Sequence, residues 1–218
     1  MIEQFGIVWH ARDLLLEGLL NTFWLSALSA AVSLVAGAML AAALMARNQL
    51  LSRATGVLVD SMRCVPFLLF AYMVYYGLPS LGLRWDSWTC GLVALIVYNS
   101  AYMAELLRGA WRGLPAEMLE AGHAFGFHGA GFVRRIVLPP AIFAAIPMLG
   151  NQVIQIIKDS AFLTIITVNE LTHAATVLQA KYFMPFASFV SALLLYWVLC
   201  VGVERLVGLV GARAELRR

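Results

Sequence analysis

The chain has 218 residues, of which 62% are hydrophobic and only 12% are charged, and its mean hydropathy is +0.83. Because soluble globular domains carry about 25% charged and about 45–50% apolar residues, this composition excludes a soluble enzyme, a disordered chain and a disulfide scaffold. A net charge of +3, dispersed along the chain, is too small for a typical nucleic-acid binder.

Five long uncharged runs predict an all-α integral membrane protein with five transmembrane helices. The first run, 18–46, has 29 residues and corresponds to roughly 43 Å of helix, more than the hydrocarbon thickness of about 30 Å. We expect this span to tilt or to extend beyond the hydrocarbon, and its length excludes a cleaved signal peptide. The expected single transmembrane domain covers residues 1–218, with spans at 15–46, 57–81, 87–108, 139–158 and 182–206.

The hydrophobic pattern changes between the fourth and fifth predicted spans. Two uncharged stretches of ten residues, 160–169 and 171–180, are separated by Glu170. Ten residues are too few to cross a bilayer as a helix. We expect a short or re-entrant helix packed against the protein, and an additional broken span stays open as an alternative.

The fifteen lysines and arginines divide unequally between the two sides that five spans define. Eleven fall on the side of the loop 109–138 and of the C-terminus, and four fall on the other side. By the positive-inside rule, this loop and the C-terminus are predicted to be cytoplasmic and the N-terminus to be outside. The eleven are Arg47, Arg53, Arg63, Arg108, Arg112, Arg134, Arg135, Arg205, Arg213, Arg217 and Arg218; the four are Arg12, Arg84, Lys158 and Lys181.

The loop 109–138 contains a predicted short helix. Pro115 is favourable at a helix start, and Glu117 and Glu120 in the first turns complement the helix dipole. Gly126 and Gly129 are expected to end the helix. An ordinary interfacial linker helix and a helix that fills a groove of a cytosolic partner both fit this pattern. The helix carries a short apolar stripe of Met118, Ala121, Gly122 and Phe125.

The same loop resembles the EAA signature of ABC-transporter permease subunits. The matching residues are Glu120-Ala121-Gly122, then Gly126, then Ile136-Val137-Leu138-Pro139. The resemblance implies that the loop helix docks on an ATP-binding subunit and couples ATP-driven closure to movement of the spans. Gly122 departs from the pattern, which favours Ala, and glycine is expected to weaken the helix by up to about 1 kcal/mol. The implied ATPase-coupling residues are Glu120, Ala121, Gly122, Gly126, Ile136, Leu138 and Pro139.

Further segments resemble permeases of the polar amino-acid uptake group. These are 18–26, 63–69, the end of the third span with Tyr102, Glu105, Arg108 and Gly109, and Lys158-Asp159-Ser160 followed by Glu170. Cys64 and Val65 stand where the group usually has Gly-Thr, and Ala161 stands where Ser is more usual. The resemblance implies a type I importer permease for polar amino acids such as histidine, arginine, glutamine, cystine or opines.

The resemblance also implies partners and a location. Neither lysine of the chain follows a glycine, so the chain lacks the phosphate-cradling P-loop. We therefore expect no cofactor in this chain, with ATP and magnesium bound by two copies of a separate ATP-binding subunit. The other expected partners are a second permease subunit, identical or related, an extracytoplasmic solute-binding protein and membrane lipid, but no nucleic acid. The expected location is the bacterial cytoplasmic membrane.

Ionisable residues near the spans are candidates for a translocation path, because such groups at membrane depth usually face a cavity or pair together. Lys158 with Asp159 or Glu170 supplies a donor for a solute carboxylate and an acceptor for its ammonium. A structural salt bridge at the outer interface stays open for these three residues. The candidate path comprises Lys158, Asp159, Ser160, Glu170 and Glu105.

Other polar residues leave their roles open. Asn99, Asn151 and Gln152, together with Gln155, fit either a polar path or hydrogen bonds between helices. No metal site is predicted, since the histidines and cysteines lack ligand spacing. Two alternative functions remain: an ion-coupled secondary transporter or channel, which typically shows an internal repeat, and a small intramembrane enzyme, for which no catalytic constellation is visible.

Overall fold

A computed structural model describes residues 2–215, and the surroundings of the side chains from 4 to 212. Arg217 and Arg218, which contribute to the predicted charge asymmetry, lie outside the described residues, as does the side chain of Arg213. The helices are α1 (Ile2–His10), α2 (Arg12–Leu44), α3 (Gln49–Cys64), α4 (Phe67–Gly77), α5 (Ser87–Arg112), α6 (Ala116–Ala124), α7 (Gly129–Phe132), α8 (Leu138–Ser160), α9 (Leu171–Tyr182) and α10 (Pro185–Glu215). Short 3₁₀ segments occupy Leu78–Leu81 and Ala161–Ile166, and a π-helical turn occupies Val133–Val137.

The prediction of an all-α membrane protein is confirmed, because every regular element between residues 2 and 215 is helical. Four segments are long and apolar enough to cross a bilayer: Arg12–Leu44, Ser87–Arg112, Gly129–Ile166 and Pro185–Ala212. A fifth crossing is provided if Gln49–Cys64 and Phe67–Leu81, which are bent by 102° relative to each other, count as one broken span.

The second predicted span, 57–81, is therefore not one helix. The break falls at Val65 and Pro66, where the backbone is extended with φ −85° and ψ 135° at Val65. Proline has no amide hydrogen to donate and disfavours helical geometry in the preceding residue. The sequence run is uncharged through this point, so hydropathy alone does not reveal the bend.

Helices α2 and α5 form the centre of the bundle. They run parallel, because residues with higher numbers in α2 contact residues with higher numbers in α5. Ser33 Oγ donates to the backbone carbonyl of Ile96 at 3.1 Å. Further along both helices, a Cβ built on Gly37 lies only 2.5 Å from Met103 Cβ. Glycine at this position lets the backbones approach closely, as in other helix pairs in lipid. Helices α3, α4 and α8 pack around α5.

The segment between α8 and α10 contains a short helix packed against the protein, as the sequence predicts. A 3₁₀ turn ends at Thr167, whose φ of 60° reverses the chain before α9 begins. A Cβ built on Gly18 of α2 lies 2.9 Å from Ala174 Cβ of α9. Helix α9 thereby packs between α2 and α10.

Candidate functional site

Helix α6 of the loop has well-defined ends. Pro115 precedes it in an extended conformation, and Glu117 lies in its first turn. At the other end Gly126 has φ +82°, which favours glycine. The amide of Phe127 donates to the Gly122 carbonyl at 3.1 Å, and the amide of Gly126 donates to the His123 carbonyl at 2.9 Å. This pair of bonds is a Schellman motif, so Gly126 terminates the helix for a conformational reason.

Gly122 is the contact by which α6 is held against the start of the next span. A Cβ built at this position lies 2.9 Å from Phe132 Cε2 and 3.0 Å from Ile136 Cγ2. The Phe132 ring also stacks on His123, with centroids 4.1 Å apart. The departure from alanine at this position therefore has a packing reason, because a methyl group would enter the volume of Phe132 and Ile136.

The opposite side of α6 is open. Glu120 and Ala121 are exposed, and Phe125 is 84% exposed at the helix end. The predicted apolar stripe is thus divided: Gly122 faces the protein, whereas Ala121 and Phe125 face away from it. Phe125 is not among the residues predicted to contact the ATP-binding subunit. The sequence signal that could have identified it is an aromatic side chain directly before Gly126, the glycine that ends the helix. Ala121 and Phe125 are therefore both accessible on the side of α6 that faces away from the protein.

The remaining predicted coupling residues lie on both sides of this contact. Ile136 is half-buried under α6, whereas Leu138 is 41% exposed and Pro139 is also exposed. The π-helical turn immediately before Leu138 joins the loop to α8, and such turns occur frequently at functional sites. Gly122 and Ile136 therefore anchor the loop, while the other predicted residues are available at its surface.

The intramembrane candidates Lys158 and Asp159 point in different directions. Lys158 is exposed and lines an open groove of about 430 Å³ between α8 and α10. Asp159 is buried, and its Oδ1 accepts a hydrogen bond from Gln155 Nε2 at 2.8 Å. Adjacent positions on a helix differ by about 100°, which accounts for the divergence. This α8–α10 groove is lined by Asn151, Lys158, Tyr196, Trp197, Cys200 and Glu204, among others.

Glu170 is fully buried and caps α9. Its carboxylate accepts hydrogen bonds from the amides of Thr172 at 2.7 Å and His173 at 2.6 Å. Tyr196 of α10 donates its hydroxyl to the same carboxylate at 2.6 Å. The amide of Leu171 donates to Thr22 Oγ1 of α2 at 3.0 Å. These bonds fasten the start of α9 to both α2 and α10, so Glu170 is a capping residue within the bundle.

Glu105 and Ser160 also make local bonds. Glu105 forms an ion pair with Arg108 one turn later on α5, and both side chains are partly buried. The Ser160 hydroxyl donates to the carbonyl of Ile157 at 2.8 Å. Gln152 of α8 donates to Asn99 Oδ1 of α5 at 2.7 Å, which joins two helices. The five predicted path residues consequently do not converge on one point in this structure.

Tyr196 was not predicted as a functional residue, yet it links two of the predicted ones. It lines the α8–α10 groove together with Lys158 and also donates to Glu170. A tyrosine in an apolar span is a common interfacial residue, so the sequence offers no signal for this link. Among the described residues there is no group of three or more His, Cys, Asp or Glu side chains arranged to hold a metal ion.

Comparisons with known proteins give consistent similarities along the chain. The family model for a binding-protein-dependent transport system inner membrane component matches residues 33–216. A probable glutamine ABC transporter permease protein of Bacillus subtilis (strain 168) is 30% identical over 196 residues, covering 90% of this chain and 91% of the relative. A glutamine transport system permease protein of Escherichia coli (strain K12) is 33% identical over 172 residues, covering 78% of each. A nopaline transport system permease protein of Agrobacterium fabrum (strain C58 / ATCC 33970) is 31% identical, covering 88% of this chain and 84% of the relative.

Solved structures show the same similarity. A crystal structure of an amino acid ABC transporter with histidines matches with a TM-score of 0.92 and 26% sequence identity, covering 96% of this chain and 98% of that one. A methionine ABC transporter in an inward-facing conformation matches with a TM-score of 0.78 at 18% identity, which shows a common fold.

We predict that Gly122→Ala loosens the loop, although alanine favours helix. The added methyl group overpacks against Phe132 and Ile136 at a cost of about 1–3 kcal/mol, and subtracting the helix gain of about 1 kcal/mol leaves a net cost of up to about 2 kcal/mol. We expect the rate of tryptic cleavage after Arg134 and Arg135 in the purified chain to rise about five-fold or more. A net destabilisation of one or two kcal/mol increases the population of the opened loop by about this factor.

Two further variants control this experiment. A Cβ built on Gly131 meets no atom within 4 Å, so Gly131→Ala should leave the cleavage rate unchanged or lower it. Phe132→Leu added to Gly122→Ala should restore protection by making room for the methyl group. Protection of Gly122→Ala equal to that of the parent chain would refute the packing explanation.

Proposed function

Because the chain belongs to the family of binding-protein-dependent transport system inner membrane components, we propose that it carries polar amino acids and related solutes such as opines. The predicted resemblance is confirmed: the chain is a multi-pass permease subunit of an ABC importer in the inner membrane, a transport component rather than an enzyme. The observation that supports this solute class is the similarity of the chain, along most of its length, to glutamine and nopaline permeases.

The proposed orientation has the N-terminus outside and the C-terminus in the cytoplasm. It is supported by the eleven-to-four division of basic residues. This orientation makes the loop that contains α6 cytoplasmic, on the side where ATP is available.

The proposed coupling site is the exposed side of α6. Glu120, Ala121 and Phe125 are the residues that a cleft on an ATP-binding subunit would contact, while Gly122 fixes the helix to Phe132 and Ile136. Displacement of α6 is thereby transmitted to the π-helical turn that leads into α8, because Gly122 is in direct van der Waals contact with Phe132 and Ile136. ATP and magnesium are bound by the partner in this proposal, and the chain supplies the mechanical contact.

The proposed assembly contains two ATP-binding subunits, a second permease subunit and an extracytoplasmic solute-binding protein. The open α8–α10 groove supports a second permease subunit. A solute path along this groove is bounded by this chain on one side, and a second subunit would close the other side. Lys158 in this groove is proposed to receive the solute carboxylate, and Glu204 in the same groove its ammonium group. Asp159, Ser160, Glu170 and Glu105 are proposed to position the surrounding helices through the bonds described above.

The solute class is tested by isolating the assembly. We expect the tagged chain, purified in mild detergent, to retain ATP-binding subunits and to capture a solute-binding protein. In vesicles containing this assembly, glutamine, histidine, arginine, cystine or octopine together with the binding protein should stimulate ATP hydrolysis. Maltose is the control solute. Stimulation by sugars alone, or solute uptake without ATP, would contradict the proposal.

We predict that Ala121→Asp separates the chain from its ATPase. A charged group placed in the docked surface loses water without gaining a partner, at a cost of about 2 kcal/mol or more, which corresponds to roughly thirty-fold weaker association. Co-purification of the ATP-binding subunit from the membrane fraction measures this loss. The control is Ala180→Asp, at an alanine of α9 that is also exposed, and it should leave association intact. Undiminished association of the Ala121→Asp chain at unchanged yield would exclude this side of α6 as the coupling site.

We predict that Lys158→Gln impairs transport while the assembly and its basal ATP hydrolysis persist. Removing the cation from the α8–α10 groove leaves the solute carboxylate without a partner, and we expect at least about a tenfold lower transport rate, equivalent to 1.4 kcal/mol. Initial uptake rates in vesicles test this, and Lys158→Arg should retain most of the activity. Lys181→Gln, which removes the same charge at the end of α9, is the control. Equal uptake by the Lys158→Gln and Lys181→Gln assemblies would remove Lys158 from the path.

A further inference from the structure

Helix α3 crosses the bundle instead of following it. It is bent by 102° from the segment that continues the span. Near its start, Ser52 Oγ donates to the carbonyl of Leu44 at the end of α2 at 2.7 Å. Further along, Val59 is buried in a cluster with Ala41 of α2 and Ala104 of α5. The helix therefore packs across the end of α2 and the second half of α5.

Three different faces follow one another around α3. The first is buried and includes Thr55 and Val59. The second is polar and comprises Gln49, Arg53, Asp60 and Arg63, which fall within about 80° of one another at helical spacing. The third, which we name the apolar arc, is exposed although hydrophobic: Leu50 is 78%, Val57 68%, Leu58 57% and Leu51 47% exposed.

The apolar arc is continuous with the outer surface of the bundle. Leu58 and Met62 of α3 form one wall of an open groove of about 430 Å³, and Met39 and Leu40 of α2 form another. Met39 is itself 64% exposed on a long apolar span. Because this surface of α2 is apolar and exposed on a helix long enough to cross a bilayer, we infer that it faces hydrocarbon and that the adjoining apolar arc meets the same hydrocarbon.

The charges of this region are arranged for anionic headgroups. Arg47 and Arg53 are exposed, with Arg47 directly before the Asn48 cap of α3 and Arg53 on its polar face. Arg63 is already engaged, because it contacts Asp60 at 3.5 Å and lies over the Tyr102 ring at 5.7 Å. A helix with an apolar side, a basic polar side and low overall hydrophobicity is typical of the plane of a membrane interface.

We propose that α3 is an interfacial helix whose apolar arc lies among acyl chains and whose Arg47 and Arg53 bind the phosphates of anionic phospholipids. The assignment of α3 to the cytoplasmic leaflet rests on the proposed orientation of the chain. The crossing itself is then made by α4 and the 3₁₀ turn that follows, 67–81, which together extend about 25 Å. A segment of this length spans most of a hydrocarbon core of about 30 Å.

The depth of α3 is tested with single cysteines in the full-length chain, after its native cysteines Cys64, Cys90 and Cys200 have been replaced. A polarity-sensitive fluorophore is placed at Val57→Cys, on the apolar arc, and at Arg53→Cys, on the polar face. In phosphatidylcholine–phosphatidylglycerol vesicles, we expect lipid-borne quenchers to reach position 57 and iodide to reach position 53.

Other outcomes of the depth experiment overturn the proposal. Quenching of both positions by iodide would place α3 in water, and protection of position 57 from both quenchers would indicate a second copy of the chain or another protein on the arc. A reversed orientation of the chain would leave the depths unchanged and move iodide access to the opposite side of the vesicle. Failure of the proposed orientation is therefore distinguishable from failure of this inference.

The headgroup interaction is tested by counting lipids retained on the purified chain. From vesicles of equal parts phosphatidylcholine and phosphatidylglycerol, the chain is expected to retain phosphatidylglycerol preferentially in native mass spectrometry. Arg47→Gln with Arg53→Gln should lower this preference roughly five-fold for each arginine removed. Arg84→Gln with Lys181→Gln removes the same charge elsewhere and should not change it. Equal losses in the two double variants would refute a site at α3.

Discussion

Backbone amides and carbonyls in hydrocarbon need partners from the chain itself, and the rest of the structure depends on this constraint. Three helices that follow a break in the chain begin at a side-chain acceptor, whereas α4 begins at Pro66 without one. Asn48 accepts from the amides at the start of α3, Asp86 from the amide of Thr89 at 3.1 Å, and Glu170 from two amides of α9. These caps let the chain change direction three times, and the changes of direction create both the interfacial α3 and the short α9.

Close contact through glycine is the second element common to the whole molecule. Lipid provides little hydrophobic driving force between helices, so their association depends on van der Waals contact. Gly18, Gly37 and Gly150 each place a partner side chain within 3 Å of where a Cβ would be. Gly122 makes the same kind of contact in the loop. The loop helix is therefore joined to the turn that leads into α8 as closely as the spans are joined to one another, which a mechanical coupling requires.

The polar groups inside the bundle divide into those that hold helices and those that remain available. Asn99, Gln152 and Glu170 bond to other helices or cap them. Lys158 faces an open groove instead. An available cation on a helix of the membrane bundle is costly unless it meets a partner or water. In the proposed importer, the bonded polar residues hold the helices together, and Lys158 belongs to the path taken by the solute.

Hydropathy and charge alone determined the helical class, the multi-pass character and the short segment around Glu170, because burying apolar residues in a bilayer is a property of composition. The EAA residues likewise identified the family, since their spacing is local. Tertiary contact decided the rest. The packing of Gly122 against Phe132 and Ile136 and the hydrogen bond from Tyr196 to Glu170 depend on neighbours remote in the chain. A one-dimensional pattern does not contain such contacts.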